Sequence, residues 1–269
     1  MTRIIQISDP HIVPSGQLAY GQVDTAAALA SCVKTVNRLL PEIGPVDLAI
    51  VTGDITDFGT KEEYQLFREI MEPLKLPYRA IPGNHDDVLN MRACFSDQSW
   101  MSSTGPINWT LEFDDLVLIA LDSSIAGQAH GHLSDETLSF LANTLELQKG
   151  LPVVVALHHP PITTGIEKMD IQNLRDSAKL EGILSGYPGE LRLICGHVHR
   201  NIVAPFGSII CQIAPGVSHA VSMDLRPSAP NCLTMEPGGV LLHETRAGIV
   251  THHIPTGQFP GPFLFYPDG

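Results

Sequence analysis

Short apolar runs alternate with longer amphipathic stretches over the first two hundred residues of the chain. Runs rich in Val, Ile and Leu predict buried strands at 3–7, 48–52, 78–81, 116–121, 153–157 and 191–195. Helical periodicity predicts helices at about 24–40, from residue 60, at 135–148 and up to residue 184. Thr60 and Glu63 have the spacing of a capping box at the second helix. The alternation predicts an α/β fold, and residues 109–121 predict an antiparallel hairpin.

The pattern changes after residue 200. Short strand-like runs at 208–213, 240–245 and 249–254 are separated by loops rich in Pro, Gly and Ser, and no helix is evident. We therefore expect three parts: a core over 1–199, a β-rich segment over 200–255, and a tail over 256–269. The tail contains several prolines and aromatic residues, and we expect it to pack on the core or on a neighbouring subunit.

Composition narrows the class of protein. The chain has 269 residues, of which 43% are hydrophobic, enough for one large domain with a small appendage. The longest apolar run, Leu116–Leu121, is too short to span a bilayer, and the N-terminal residues do not resemble a signal peptide, so we expect a cytoplasmic protein and no membrane partner. Five widely spaced cysteines indicate neither a disulfide framework nor a structural zinc site.

The net charge of −13 argues against a nucleic-acid partner, because an acidic surface repels a phosphate backbone. Some of these acidic groups could instead be metal ligands, and a bound metal reverses the local sign of charge.

Polar side chains that can bind metals follow five of the predicted strands. In chain order the motifs are D-P-H, G-D, G-N-H-D, H-H and G-H-V-H, which contain Asp9, His11, Asp54, Asn84, His85, His158, His197 and His199. The carboxyl ends of strands are where open α/β sheets form their sites, so we expect one shared site. Carboxylate, imidazole and amide ligands suit Mn, Fe, Co or Zn.

These motifs and their order resemble those of the calcineurin-like metallophosphoesterases. Y-G at 20–21, P-G-N-H-D-D at 82–87, H-H-P-P at 158–161 and the aromatic tail are similar to the branch of bacterial glycerophosphodiesterases and class III cyclic-nucleotide phosphodiesterases. The resemblance covers nearly the whole chain. It implies a four-layer α/β/β/α sandwich with a small β-rich C-terminal appendage, and a dinuclear centre of divalent or trivalent metal ions.

The resemblance also implies the ligands of each ion. One ion would be held by Asp9, His11, Asp54 and His199. The other would be held by Asp54, Asn84, His158 and His197, so that Asp54 bridges the two. We expect His197 and His199 to lie on extended backbone, where residues two apart face the same way.

In such a centre two cations lower the pKa of water toward about 7, and the hydroxide attacks phosphorus. By resemblance, His85 lies beside the phosphate and protonates the leaving group. Asn84, His85 and His219 are the expected substrate-binding residues. We expect Asp86 to orient His85 or to cap the following helix, and we expect Asp122 and His159 to be structural.

The substrate class follows from charge and from the branch. A phosphomonoester dianion benefits from added cations, yet Pro82 stands where protein phosphatases of the family have an arginine, and Arg200 is the one base near the motifs. The scarcity of basic residues near the motifs favours small phosphodiesters as substrates. Glycerophosphodiesters are the first candidates, and 3′,5′-cyclic AMP is the alternative. A nuclease, a phosphomonoesterase and a non-catalytic scaffold are less favoured. The resemblance further implies that 1–199 is the catalytic core and that 200–255 is a cap or dimerisation segment. Because the 200–255 segment and the aromatic tail would expose apolar edges, we expect a homodimer or a higher oligomer built from dimers.

Overall fold

Two large β-sheets, one two-stranded ribbon and six helices make up the fold in a computed structural model that describes residues 1–148 and 150–266. The strands are β1 Arg3–Ile7, β2 Leu48–Thr52, β3 Tyr78–Ile81, β4 Trp109–Glu112, β5 Val117–Leu121, β6 Val153–Leu157, β7 Leu191–Cys195, β8 Ile202–Phe206, β9 Ile209–Ile213, β10 Ala220–Val221, β11 Leu233–Thr234, β12 Gly239–Thr245 and β13 Ile249–Pro255. The helices are α1 Thr25–Ile43, α2 Lys61–Met71, α3 Val88–Cys94, α4 Asp135–Leu147, α5 Glu167–Asp170 and α6 Ser177–Leu184.

The two sheets have parallel centres and antiparallel edges. The first has the strand order β13-β12-β1-β2-β3, and the second has the order β4-β5-β6-β7-β9-β8. Strands β1, β2 and β3 run parallel, as do β5, β6, β7 and β9, whereas β12, β13, β4 and β8 pair antiparallel with their neighbours. The predicted hairpin is confirmed as β4–β5.

The sheets pack face to face with helices outside, and side chains along β5 show this directly. Leu118 and Ala120 join the same buried cluster as residues of β1 and β2. Ile119 and Leu121, which point the other way, pack with Leu141 of α4. The predicted four-layer α/β/β/α architecture is therefore confirmed.

Local signals set the start of the main helices. Thr60 accepts from the backbone N–H of Glu63, and the Glu63 carboxylate accepts from the backbone N–H of Thr60, so the predicted capping box opens α2. At α1 and α4 the N-cap side chains of Asp24 and Ser134 each accept one hydrogen bond from a backbone N–H of the first turn.

The segment after residue 200 is β-rich, and most of it belongs to the two central sheets. Strands β8 and β9 extend the second sheet, while β12 pairs with β1 and is buried along its whole length. Within 200–255 only the stretch 214–238, with the small ribbon β10–β11, lies outside both sheets. The division at residue 199 stays a prediction about domain organisation.

The described part of the tail contacts α1 only at its start, where Gly257 is hydrogen-bonded to Thr35 and Arg38, and residues 258–266 are exposed. The exposed fractions of Phe263, Phe265 and Tyr266 are 77%, 97% and 84%. Residues 267–269 of the predicted tail lie outside the described residues. Among the described residues, no helix is both long and apolar enough to cross a membrane.

Candidate metal centre

The candidate centre forms where the loops after β1, β2, β3, β6 and β7 meet. Backbone hydrogen bonds tie these loops together: His11 N–H donates to the carbonyl of Asp54 at 2.9 Å, and Gly196 N–H donates to the carbonyl of His158 at 3.0 Å. The backbone N–H of His197 donates to Oδ1 of Asp9 at 2.9 Å, which joins a loop of the second sheet to a loop of the first. The loops of both sheets thus converge, and they bring together all seven predicted ligand residues.

Five of these seven residues adopt a left-handed backbone conformation. Their φ angles are 54° for Asp9, 46° for His11, 48° for Asp54, 75° for His197 and 53° for His199. Non-glycine residues rarely adopt this region, and where they do the strain marks functional sites. The expectation of extended backbone across His197 and His199 is wrong, because both residues lie in this left-handed region.

Two glycines allow the loops to approach closely. A Cβ atom at Gly196 would lie 2.3 Å from Ser8 Oγ and 2.7 Å from the carbonyl oxygen of Thr52. Gly53 has a φ of 89°, and a Cβ atom there would lie 2.4 Å from Nδ1 of His158. Any side chain at either position would separate the strand ends that carry the candidate ligands.

The first predicted ligand set is a compact buried cluster. Ligand atoms of Asp9, His11, Asp54 and His199 all lie within 4.8 Å of one another. Nε2 of His11 is 3.0 Å from Nε2 of His199 and 3.5 Å from Oδ2 of Asp54. Nε2 of His199 is 3.5 Å from Oδ1 of Asp9. Two imidazoles and two carboxylates thus face a common space.

The second predicted set gathers around Nε2 of His158. That atom is 3.2 Å from Oδ2 of Asp54, 3.2 Å from Oδ1 of Asn84 and 3.3 Å from Nδ1 of His197. Oδ2 of Asp54 is therefore the atom that both sets share.

The chemistry of these residues fits metal ions, and a further buried atom in three of them has no hydrogen-bond partner in the described part of the chain. Asp9 Oδ2, His197 Nε2 and His199 Nδ1 are buried, and none has a hydrogen-bond partner among the described residues. Buried polar atoms are normally paired, and carboxylate, imidazole and amide groups are the donors that divalent first-row metals accept. The donor set is consistent with a dinuclear centre.

Charge in the cluster is balanced by protons on histidine. Burial disfavours the charged form of His158, but Asp54 and Asp9 outweigh it and raise its pKa to about 9. For Asp54, burial is outweighed by His158 and His85, which hold its pKa well below the usual range. Burial and the positive charge of His158 lower the pKa of His197 to about 3. The pocket therefore attracts positive charge toward Asp54.

Asp57 is a site residue that the sequence reasoning missed. Its Oδ1 accepts from Nδ1 of His11 at 3.0 Å and from the Tyr20 hydroxyl at 3.1 Å, and it lies 3.4 Å from Nδ1 of His85. Despite the opposing effect of burial, the contact with His11 lowers the pKa of Asp57. The available signal was the second aspartate of G-D-I-T-D, three residues after Asp54.

His85 lies at the edge of the cluster with its side chain 34% exposed. Its Nδ1 lies 3.0 Å from the carbonyl oxygen of Asp57, and its backbone N–H donates to Asp54 Oδ1 at 2.9 Å.

The expected roles of Asp86 are wrong. Its carboxylate accepts from backbone N–H groups of the neighbouring loops, including that of Gly83, and Asp87 is the residue that caps α3.

Three further residues were singled out in the sequence. Asp122 accepts from the backbone N–H of Ile107 and of Ser124, which is a structural arrangement. His159 is buried and its Nδ1 lies 2.8 Å from Ser123 Oγ. The ring of His219 lies with its centroid 4.6 Å from that of His199, so it borders the cluster.

A cavity of about 300 Å³ opens onto the cluster. Its floor contains His11, Asp54, Asn84, His85, His197, His199 and His219. No Lys or Arg is among the described residues that line it. Arg200, the base that the sequence placed near the motifs, forms an ion pair with Glu236 at 2.9 Å and does not line the cavity.

Comparison with known proteins identifies the family. Residues 2–201 match the calcineurin-like phosphoesterase family, and the chain belongs to it. The chain is 41% identical over 266 residues to a probable glycerophosphodiester phosphodiesterase, GpdQ, of Arcobacter nitrofigilis, covering 98% of this chain and 96% of that protein. The predicted family and branch are confirmed.

Two other relatives extend the comparison. The 3′,5′-cyclic adenosine monophosphate phosphodiesterase CpdA of Pseudomonas aeruginosa is 30% identical over 224 residues, which are 80% of this chain and 79% of that protein. A dimetal phosphatase from Danio rerio superposes with a TM-score of 0.63 at 12% identity, covering 95% of this chain and 99% of that structure. This structural likeness shows the fold alone.

Proposed function

We propose that this protein is a metal-dependent phosphodiesterase that hydrolyses small phosphodiesters, glycerophosphodiesters first. The observation that carries the proposal is the buried cluster of carboxylate and imidazole groups around Asp54, whose ligand atoms face one another within 4.8 Å. The 41% identity with a probable glycerophosphodiester phosphodiesterase over almost the whole chain supports the substrate class.

The proposed ligands are those that the motifs indicate. Asp9, His11, Asp54 and His199 would hold one cation, and Asp54, Asn84, His158 and His197 would hold the other. Mn, Fe, Zn and Co are the candidate metals. When bound, a pair of such cations supplies an acidified water molecule and neutralises negative charge on the phosphoryl group.

The chain's own residues orient the reacting groups. Asp57 accepts from Nδ1 of His11 and thereby turns Nε2 of His11 toward Asp54. With Nδ1 of His85 donating to the carbonyl of Asp57, its Nε2 is free to face the substrate, and the imidazolium form would give its Nε2 proton to the departing alkoxide and become neutral. Asn84, His85 and His219 line the cavity and are the proposed substrate-binding residues.

The lining of the cavity supports a monoanionic substrate. A phosphomonoester brings two negative charges, and no Lys or Arg among the described lining residues would neutralise the second. The volume of about 300 Å³ suits a small molecule rather than a polymer, and the net charge of −13 disfavours nucleic acid. A nuclease, a phosphomonoesterase and a scaffold are therefore the weaker alternatives.

Cyclic AMP is the second candidate substrate. The relative from Pseudomonas aeruginosa, 30% identical over 80% of this chain, carries the name of a cyclic AMP phosphodiesterase. Tyr20 lines the cavity with 47% of its surface exposed and offers a ring on which a base could stack.

A substrate panel tests the function. Mn-reconstituted protein should be assayed with glycerophosphocholine, glycerophosphoethanolamine, cyclic AMP, bis-nitrophenyl phosphate and nitrophenyl phosphate. We expect turnover of the glycerophosphodiesters and of the chromogenic diester to exceed that of the monoester. Hydrolysis of the monoester alone, or no hydrolysis at all, would contradict the proposal.

We also propose a homo-oligomer built from dimers. The exposed aromatic tail, together with Met223, Leu225 and Met235 near the β10–β11 ribbon, each 59–60% exposed, supports an apolar contact with a second copy. A cap or dimerisation role for 200–255 and a cytoplasmic location remain predictions. Sedimentation that showed only a species of the monomer mass, 29.1 kDa, would contradict the oligomer.

A further inference from the structure

One wall of the cavity comes from segments that hold no candidate metal ligand. This outer wall consists of Met169, Gln172, Val221, Asn231, Cys232 and Leu233. Four of these residues belong to, or adjoin, the β10–β11 ribbon, which lies outside both sheets. The ribbon therefore shapes a part of the cavity that no candidate metal ligand lines.

The ribbon is held by its own hydrogen bonds and by apolar contacts on two sides, one of which is the packing of Val221 against the core of the second sheet. Within it, the N–H of Ser222 donates to the carbonyl of Cys232 at 2.8 Å. On one side Leu233 packs against the small apolar cluster of Val13, Ala19 and Val23. A ribbon with strands of two residues has too little buried surface to be stable alone, so its position depends on its contacts with the core.

Arg200 makes a polar contact of three hydrogen bonds between the ribbon segment and the core. Its guanidinium donates through Nη1 and Nη2 to the two carboxylate oxygens of Glu236, at 2.9 and 3.0 Å, and through Nη1 to the carbonyl of Val221 at 2.6 Å. Its side chain is 13% exposed. Arg200 directly follows His199. Its side chain therefore joins the ligand-bearing loop after β7 to Val221, the last residue of β10, and to Glu236, which follows β11. Two-pronged pairs of this kind are geometrically specific.

We propose that Arg200 is a positioning residue for substrate binding: through Glu236 and Val221 it fastens the β10–β11 ribbon over the metal centre and so forms the outer wall that receives the alcohol half of the diester. The inference rests on the proposed phosphodiesterase function. It differs from a direct contact between Arg200 and phosphate, because the guanidinium is already occupied and does not line the cavity.

The test uses Arg200→Gln, Glu236→Gln and the exchanged pair Arg200→Glu with Glu236→Arg. Each is assayed with glycerophosphoethanolamine, whose glycerol half the wall would receive, and with methyl phosphoethanolamine, in which a methyl group replaces the glycerol. Both single variants should raise KM for glycerophosphoethanolamine about tenfold with kcat little changed, the sign of lost uniform binding, and should leave the small diester unaffected. The exchanged pair should recover part of the lost affinity.

Arg226→Gln is the matched control. Arg226 lies on the same segment and pairs with Asp224 at 2.6 Å, but it is 80% exposed and does not line the cavity, so its KM should equal that of the wild type. Hydrogen exchange supplies a readout besides activity: the Ser222 amide should exchange faster in Arg200→Gln and Glu236→Gln than in the wild type or in Arg226→Gln.

Two results would overturn the inference. One is an equal loss of kcat for both substrates in Arg200→Gln, which would mean that Arg200 acts on the phosphate. The other is a wild-type KM and wild-type exchange in Glu236→Gln. Failure of the proposed function itself looks different, since the wild type would then hydrolyse neither diester.

Discussion

Asp57 accepts a hydrogen bond of 3.0 Å from Nδ1 of His11, and this contact decides which nitrogen of His11 faces the metal centre. With its proton on Nδ1, the ring presents the Nε2 lone pair to Asp54 and His199, 3.5 and 3.0 Å away. A carboxylate behind a ligating imidazole fixes both its tautomer and its orientation.

Replacing Asp57 by asparagine should therefore weaken metal binding. An amide can present its N–H₂ group to His11, which removes the preference for one tautomer, and we expect metal affinity to fall about 10–100-fold. Titration against a competing chelator measures it. Asp97→Asn is the control, since Asp97 pairs with Arg68 at the surface and is 55% exposed. Wild-type affinity in Asp57→Asn would contradict this role.

Removal of the His85 imidazole should affect substrates according to their leaving groups. An alkoxide requires a proton as it departs whereas a nitrophenolate does not, so His85→Ala should slow glycerophosphoethanolamine by about 10²–10⁴-fold and bis-nitrophenyl phosphate far less. Steady-state kinetics with both substrates, at equal metal content, makes the comparison. Equal losses for the two diesters would show that His85 does not donate the proton.

Gly196→Ala should disrupt the centre through its backbone. The added methyl group would lie 2.3 Å from Ser8 Oγ and 2.7 Å from the Thr52 carbonyl, so we expect the free energy of unfolding to fall by about 1–3 kcal/mol and metal content to fall with it. Urea denaturation measures the first quantity. Gly182→Ala, in α6 with nothing within 4 Å of the new atom, should be neutral or stabilising. Equal stabilities for the two variants would contradict the close approach.

His243 makes stability depend on pH at a distance from the centre. Burial lowers its pKa to about 3, and its ring nitrogens lie 3.0 Å from Gln6 Oε1 and 2.8 Å from Thr251 Oγ1. Because the folded-state pKa is below the ordinary value of 6.5, the neutral form is favoured on folding. The contribution of His243 to the free energy of unfolding is therefore fully present above pH 6.5, and it is lost as the pH falls from 6.5 toward 3.

When the pH is lowered from 7 to 5, protonation of His243 in the unfolded state should reduce the free energy of unfolding of the wild type by about 2 kcal/mol. His243→Gln cannot titrate, so its stability should fall less over the same interval, and chemical denaturation at the two pH values gives the difference. His253→Gln, at an exposed position on β13, is the control. Parallel losses in wild type and His243→Gln would contradict the assignment.

Strands with continuous apolar runs could be predicted because burial on both faces leaves a local signature. Strand β8 was missed because its residues alternate in burial and include Pro205, and β10 and β11 have only two residues each. Strand β12 was predicted, but its partner was not. Its pairing with β1 joins residues more than two hundred positions apart, which no local pattern encodes.

The candidate ligands could be found because each follows a recognisable strand and carries metal-binding chemistry. The left-handed backbone at His197 and His199 could not be predicted from the sequence, because the tertiary contacts of their loops impose it rather than the residue type. The ion pair of Arg200 with Glu236 depends on the fold in the same way, because the sequence showed only that Arg200 is a base near the metal-binding motifs.

The count of metal ions per chain tests the central claim most directly. Wild-type protein loaded with Mn and freed of excess metal should contain two ions per chain by elemental analysis, because two sets of ligands share Oδ2 of Asp54. Asp54→Ala, folded to the same extent by circular dichroism, should contain fewer than one. A single ion in the wild type, or two ions retained in Asp54→Ala, would contradict a dinuclear centre bridged by this residue.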